Sequence, residues 1–560
     1  LQKSYVIGVD FGTESCRALL VDVANGDEIA TATHMYSHGV LSKELPNGVP
    51  LPSDWALQHP NDYIDGFKDV VRNVFKAGNI QPNDVIGIGI DFTSSTILPL
   101  DEKGDPLCLH AAFETHPHSW VKLWKHHAAK KEADEVTNLA HERGEKFIKR
   151  YGGNISSEWM IPKILQVVKE DPEVFHHTNL FMEAGDWLVY HLTGSLIRSS
   201  NTSSYKALWD KREGYPSYAF FSELHPEMKD ILETKLRGEV RTIGGKAGGL
   251  NKQMAMMLGL NPGTAIAVNV IDAHAAVPAV GAVHPGQFTM AIGTSTCHML
   301  VSEEDKFVQG VCGIAEDGII PGYISYETGQ VAVGDLFSWF VDNAIPSDIE
   351  EEAKKQGISV HSYLEEKAME LVPGKSGLVA LDWWNGNRSI LVDSDLSGVI
   401  VGLTLTTTPE EIYRALLEST AFGTRKIIET FKDSNIPVKE VFACGGIPKR
   451  NKLLLQIYAD ILNCEITIAN SNEITALGTS MYAATAAGKS AGGYDTIFQA
   501  ASNMSKIKEE VISPNQRNVE RYNYLYSVYL KLHDYFGSEQ RNVMNTLNNS
   551  KHTEINLDKQ

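Results

Sequence analysis

Cysteine is scarce in this chain and scattered: Cys16, Cys108, Cys297, Cys312, Cys444 and Cys464 are the only six in 560 residues. No two stand in CxxC spacing, which excludes a zinc cluster or disulfide framework as the organising device. Several lie in apolar, strand-like surroundings, where a thiol acts as a small core residue. Long apolar runs are missing as well. None reaches the roughly 18 residues of a membrane span, and the chain begins on a strand rather than a basic stretch followed by an apolar signal, so a cytoplasmic protein without membrane contact is expected. Positive charge is in deficit, with 50 Lys and Arg against 70 Asp and Glu and a formal net charge of -20. That argues against nucleic acid, which needs a basic surface. It leaves nucleotides open, since local N–H groups, one cationic side chain and a magnesium ion suffice for them. An initial Met is also absent, and the last residues, NNSKHTEINLDKQ, read as a polar end.

The two familiar nucleotide motifs are present only in fragments. GIGIDF from Gly87 has two glycines of GxGxxG but Phe92 in place of the third, and no helix start follows closely. AATAAGKS, residues 483–490, carries GK at the close of an Ala-rich helix, with Gly488 suited to the C-cap, whereas a P-loop follows a strand and opens a helix. Neither is expected to bind phosphate.

What the chain does contain is a repeated hairpin. YVIGVDFGTESCRALLVD, residues 5–22, reads as a strand ending on Asp10, a Gly12-Thr13 turn and a returning strand with Arg17. Unpaired N–H groups and the hydroxyls of Thr13 and Ser15 suit a polyphosphate, and Asp10 suits a divalent cation, directly or through water. FTMAIGTSTCHMLV, residues 288–301, repeats the pattern, Gly293-Thr294 matching Gly12-Thr13 and Cys297 matching Cys16. Ala291 replaces Asp10, so metal and transferred phosphate are expected at the first hairpin and nucleotide mainly at the second. Between them, apolar positions from Tyr63 to Phe75 recur at helical spacing after Pro60, and VIGIGID follows as a strand. Residues 111–257 read as a mostly helical insertion. AIAVNVIDAHAA ends a strand on Asp272, whose bland alternative is a helix cap. TPEEIYRALLESTAFGTRKIIETF is a long helix with Thr408, Pro409 and Glu411 as a capping box. ACGGIPKRN, residues 443–451, places paired glycines where a flat base could approach the backbone, with Asn451 able to offer an amide. The βαβα series implies an α/β fold with helices on sheet faces, divided at 1–283 and 284–545 with a polar tail at 546–560.

The order of these elements resembles the FGGY family of carbohydrate kinases over nearly the whole chain. FMEAGDWLVYHLTG, SSYKALWD and LDWWNGNRS resemble the bacterial branch that phosphorylates L-ribulose, and SGVIVGLTLTTTPEEIYRALLES resembles the family's C-terminal signature. WMIPKILQVVKEDP keeps the Pro-Lys-aliphatic character but has Gln166 and Val167 where many relatives carry an aromatic, which counts against glycerol or xylulose kinase. The resemblance implies two duplicated domains with ribonuclease H-like cores of the actin, hexokinase and Hsp70 kind, a cleft between them, ATP and Mg2+ as cofactors, and a small ketopentose substrate in L-arabinose catabolism. It implies Asp272 as catalytic base and Ser94, Ser95, Lys206, Asp272 and Glu327 as sugar contacts. For ATP it implies Gly12, Thr13, Gly293, Thr294, Gly334, Gly445, Gly446 and Asn451, with Asp10 for the metal. His274 competes with Asp272 as base but reads as a packed neighbour, and Trp383 and Trp384 as packing rather than sugar stacking. The pairs at His116 and His118, His126 and His127, and His176 and His177 lack matching ligands and read as surface or helix-end residues. A sister kinase for D-ribulose, xylulose or a polyol, or an Hsp70-like ATP-driven switch, stays open. So does association of the chain with further copies of itself.

Overall fold

The computed structural model describes residues 3–550. Its centre is two seven-stranded sheets built on one plan. In the first, Tyr5–Phe11, Ser15–Asp22 and Glu28–Met35 form an antiparallel meander, and Val85–Phe92 then Ala265–Ala267 add in parallel on the other side of Tyr5–Phe11. In the second, Gln287–Ile292, Thr296–Ser302 and Ile324–Gln330 form the meander, and Glu440–Cys444 then Ile466–Ala469 add in parallel. Further strands complete each: Lys246–Gly249 at the edge and Val270–Ile271 beside the end of Val85–Phe92 in the first, Gly313–Glu316 and Ile507–Ile512 in the second. The parallel additions need crossovers, and helices supply them.

Those helices form where the sequence places caps and apolar faces. Pro60–Gly78 starts with His59 accepting from the Asn61 N–H and ends on left-handed Asn79; Tyr63, Phe67, Val70, Val71 and Val74 recur on its buried face. Pro409–Asp433 makes the Glu411 half of its expected box, with the Thr408 N–H donating to Glu411 Oε2 at 2.9 Å. Residues 111–257 hold several helices, and also short strands: Val121–Lys122 and Leu180–Glu183 join a small four-stranded sheet. The helix Arg541–Ser550 takes up the start of the expected polar tail; residues 551–560 lie outside the described ones.

One helix belongs to both halves. Ile474–Ala487, late in sequence, lies across the first sheet, packing on Tyr5–Phe11 and Val85–Phe92 and on the helix Asp272–Ala279. A Cβ at Gly8 would stand 2.0 Å from the Ala476 carbonyl oxygen, and one at Gly89 2.3 Å from that of Thr479. The glycines that suggested a dinucleotide motif at Gly87 therefore serve helix packing. Lys489 follows the end of this helix and is exposed. Among the described residues no helix is long and apolar enough to cross a membrane.

Candidate active site

A cleft of about 1340 Å³ opens between the two sheets. From the first half it is lined by Ser94, Lys206 and Asp272; from the second by Gly293, Thr294, Glu327, Gly445 and Gly446. Eight of the residues singled out in the sequence thus meet in one place. Asp10, Gly12, Thr13, Ser95, Gly334 and Asn451 sit outside its wall.

Each hairpin turn is fixed by its own backbone. Gly12 N–H donates to the Ser15 carbonyl and Gly293 N–H to that of Ser295, both at 2.9 Å. Trp124 Nε1 donates to Thr13 Oγ1 at 3.1 Å, which leaves the Thr13 hydroxyl proton for an acceptor in front of it. Gly334 N–H donates to the Gly293 carbonyl at 3.0 Å, so the helix Gly334–Asn343 begins against the second turn. The repeat is not exact in space. Phe11 pairs with Cys16 but Ile292 pairs with Thr296, so the second return strand is slipped by one residue and its alternation is inverted. Cys297 therefore faces the cleft, whereas Cys16 is buried beneath the helix Pro60–Gly78.

Asp272 is the first residue of its helix and accepts from the Ala273 N–H at 2.7 Å. Burial, with the nearby Asp10 charge, pushes its carboxyl up to about 7. Asp10 and Asp91 are register partners on adjacent parallel strands. Burial raises both, Asp91 well above the usual range, and Asp91 Oδ1 has no hydrogen-bond partner among the described residues. Asp91 was not singled out in the sequence, although it ends the VIGIGID strand as Asp10 ends the first.

Lys206 closes the helix Ser200–Lys206, and Glu327 lies mid-strand in the other half. They form a buried pair, Lys206 Nζ standing 2.8 and 3.0 Å from the two Glu327 oxygens. Burial alone would lower the Lys206 pKa, but the Glu327 charge and hydrogen bonds outweigh it and hold it above its ordinary value. Burial likewise opposes the Glu327 charge, yet Lys206 and His274 hold its carboxyl far below the usual range. Both side chains are therefore charged and fixed, a donor beside an acceptor, at the height of Asp272. His274 is fully buried beside this pair, at the cleft wall, with its Nε2 3.1 Å from Glu327 Oε2, so its ring packs against the pair as a neighbour.

Other residues were missed because their partners are remote in sequence. Lys163 Nζ donates to the carbonyls of Ser95 and Leu123 at 2.6 and 2.8 Å, which fixes the loop carrying Ser94; burial brings this lysine down to about 7. Ser95 is left-handed, φ 58°, and buried away from the cleft. Arg388, within the LDWWNGNRS segment, lines the cleft near Glu158. The tandem tryptophans divide: Trp383 is core, while Trp384 packs on Trp339 and reaches the cleft wall. Asn451 Oδ1 accepts from the Leu454 N–H at 2.7 Å and caps the helix Lys452–Leu462. Most of the paired histidines are hydrogen-bonded singly, His116 to Asp171 and His176 to Glu227 among them, while His127 stands 3.8 Å from Glu158. His118 and His126 are buried against Trp55 rather than on the surface.

A model of the FGGY family of carbohydrate kinases, N-terminal domain, matches residues 5–279, and one of its C-terminal domain matches 288–487. A ribulokinase of Anoxybacillus flavithermus is 56% identical over 552 residues, 98% of each chain. One of Geobacillus thermodenitrificans is 55% identical with the same coverage. Among solved structures, a xylulose kinase from Rhodospirillum rubrum superposes with a TM-score of 0.77 at 22% identity, covering 95% of this chain and 98% of that one. The glycerol kinase of Plasmodium falciparum with ADP gives 0.73 at 16% identity, covering 94% and 98%.

Proposed function

The chain belongs to the FGGY family of carbohydrate kinases, and we propose that it transfers the γ-phosphoryl group of ATP to the 5-hydroxyl of L-ribulose. The observation that carries the reading is the buried Lys206–Glu327 pair beside Asp272 in one cleft. The choice of ribulose rests on near full-length identity to chains named ribulokinase.

In this reading the Lys206 ammonium donates to the ketose carbonyl or a hydroxyl, and Glu327 accepts from hydroxyls, which aims the 5-hydroxyl at Asp272. The Asp272 carboxylate takes the hydroxyl proton as the sugar oxygen bonds to the γ-phosphorus and the bond from phosphorus to the ADP oxygen breaks. Backbone N–H groups of the hairpin turns carry the phosphates, and Gly445 and Gly446 leave space for the nucleoside. Three mutually repelling acids, Asp10, Asp91 and Asp272, one with an unpaired buried oxygen, fit a site completed by Mg2+. Asp10, with Asp91 beside it, would hold that ion, which when bound offsets phosphate charge. Domain limits of 1–283 and 284–545 are part of the proposal, supported by the gap between the two family matches.

The test is ADP release with MgATP and L-ribulose, D-ribulose, L- and D-xylulose, ribitol or glycerol, against a no-sugar blank. A strong preference for the ribuloses is expected. Preference for xylulose or glycerol would overturn the substrate, and turnover indifferent to every sugar would overturn the kinase reading itself.

A further inference from the structure

A single buried amide joins the groups that the proposed reaction uses. Asn201, in the helix that ends on Lys206, is completely buried, and its three hydrogen bonds leave no freedom in how the amide is turned. Its Oδ1 accepts at 2.8 Å from the N–H of Ile271, the residue immediately before Asp272. Its Nδ2 donates to the Gly318 carbonyl at 2.5 Å and stands 2.8 Å from His274 Nδ1. A backbone N–H can only donate and a carbonyl can only accept, so the oxygen must face Ile271 and the nitrogen must face Gly318 and His274. His274 Nδ1 is therefore an acceptor.

With its lone pair on Nδ1 taken up by the Asn201 amide, the ring carries its proton on Nε2. That buried nitrogen lies 3.1 Å from Glu327 Oε2 and makes no regular hydrogen bond among the described residues, so the carboxylate is the acceptor it faces. Tyr205 packs edge-on against the ring at 4.6 Å and blocks its rotation. Were the ring in the other tautomer, a nitrogen lone pair would face the carboxylate and push it from its place beside Lys206.

We propose that Asn201 is a positioning residue: by dictating the His274 tautomer it turns an N–H toward Glu327, and by gripping Ile271 it fixes Asp272 relative to that carboxylate. The sugar-binding pair and the base are thereby held in one frame by a group that touches neither substrate. The functional side rests on the kinase reading above, but the tautomer can be read without any substrate.

The first measurement is the nitrogen-15 spectrum of histidine-labelled protein, with His274 assigned by its loss in His274→Gln. Wild type is expected to show Nε2 protonated and Nδ1 bare. Asn201→Asp keeps an acceptor for Ile271 but presents a carboxylate to Nδ1, and is expected to show Nδ1 protonated. A His274 signal indifferent to Asn201→Asp, or protonated on Nδ1 in wild type, would overturn the proposal. The second measurement is kinetic. His274→Gln can still offer an amide N–H where Nε2 was, whereas His274→Phe fills the space with no donor. An N–H facing a buried carboxylate steadies its charge, so the Phe variant is expected to raise the sugar KM by about tenfold over the Gln variant, with the ATP KM unchanged in both. Equal sugar KM values in two variants of equal Tm would reduce His274 to packing and overturn the proposal. If wild type responds to no sugar, the kinase reading fails, while the spectra still decide the tautomer.

Discussion

At the scale of single residues, the cleft is a problem in charge placement. Asp272, raised to about 7 by burial and by Asp10, must lose its proton to act as a base. The sugar kcat/KM should therefore rise with pH through an apparent pKa of about 7 and level off above it. Asp272→Asn should bind ATP nearly as wild type while turnover falls on the order of 10²- to 10⁴-fold; near-normal turnover would take the base role away. The stability sign is opposite. A carboxyl raised in the fold favours the protonated state, and this contribution is lost as pH rises from the unfolded value of 3.8 through about 7. Asp272→Asn should thus melt above wild type at about pH 8, with the gap closing toward pH 5. The Lys206–Glu327 pair obeys a different rule. Removing one partner strands a buried charge and should cost about 3 to 5 kcal/mol, so Lys206→Met should melt well below wild type, and adding Glu327→Gln should recover part of the loss without recovering turnover. Chemical denaturation of the two variants separates these outcomes. Lys206 and Glu327 were legible only through family resemblance, because a lone lysine and a lone glutamate look solvated in sequence. Asn201, Asp91 and Lys163 were not legible at all, since each owes its role to a partner 40 or more residues away.

At the scale of elements, hairpins, caps and the long helices follow from local pattern, and what escapes is register. The sequence repeat aligns Cys16 with Cys297, yet a one-residue difference in turn length puts one in the core and the other in the cleft. Paired glycines show the same limit. At Gly445, φ is 107° and a Cβ would meet the Ile292 carbonyl oxygen at 2.2 Å, so the fold itself requires glycine. At Gly446 no heavy atom outside its own stretch of chain lies within 4 Å of that point among the described residues, so a ligand is what would feel the change. Gly445→Ala should lower Tm by several degrees or prevent folding, with backbone strain and a clash acting together. Gly446→Ala should fold as wild type and weaken ATP while leaving sugar affinity intact; thermal melts and ATP titration of the purified variants distinguish them. An unchanged ATP affinity in Gly446→Ala would move the nucleoside elsewhere.

At the scale of the whole molecule, the two halves are tied at the back and share substrates at the front. The helix Ile474–Ala487 lies on the first sheet, and a Cβ at Gly478 would stand 1.6 Å from the Ala275 carbonyl oxygen in the helix that carries Asp272. Thr479 Oγ1 donates to Asp91 across the same contact. The cleft wall takes Lys206 from one half and Glu327 from the other, so the groups proposed to hold the sugar already span the divide. A nucleotide contacting Gly293 and Gly446 while reaching toward Asp10 would span it a second time. Each ligand then draws together the surfaces the other needs, and the two affinities must be coupled with equal magnitude in both directions. A saturating, non-hydrolysable ATP analogue with magnesium should tighten sugar binding by about tenfold, and saturating sugar should tighten the analogue by the same factor. Calorimetric titration in both orders measures the two factors. Independent affinities would mean that the cleft is already in its reacting shape before either substrate arrives. Water would then have to be excluded by the substrates alone.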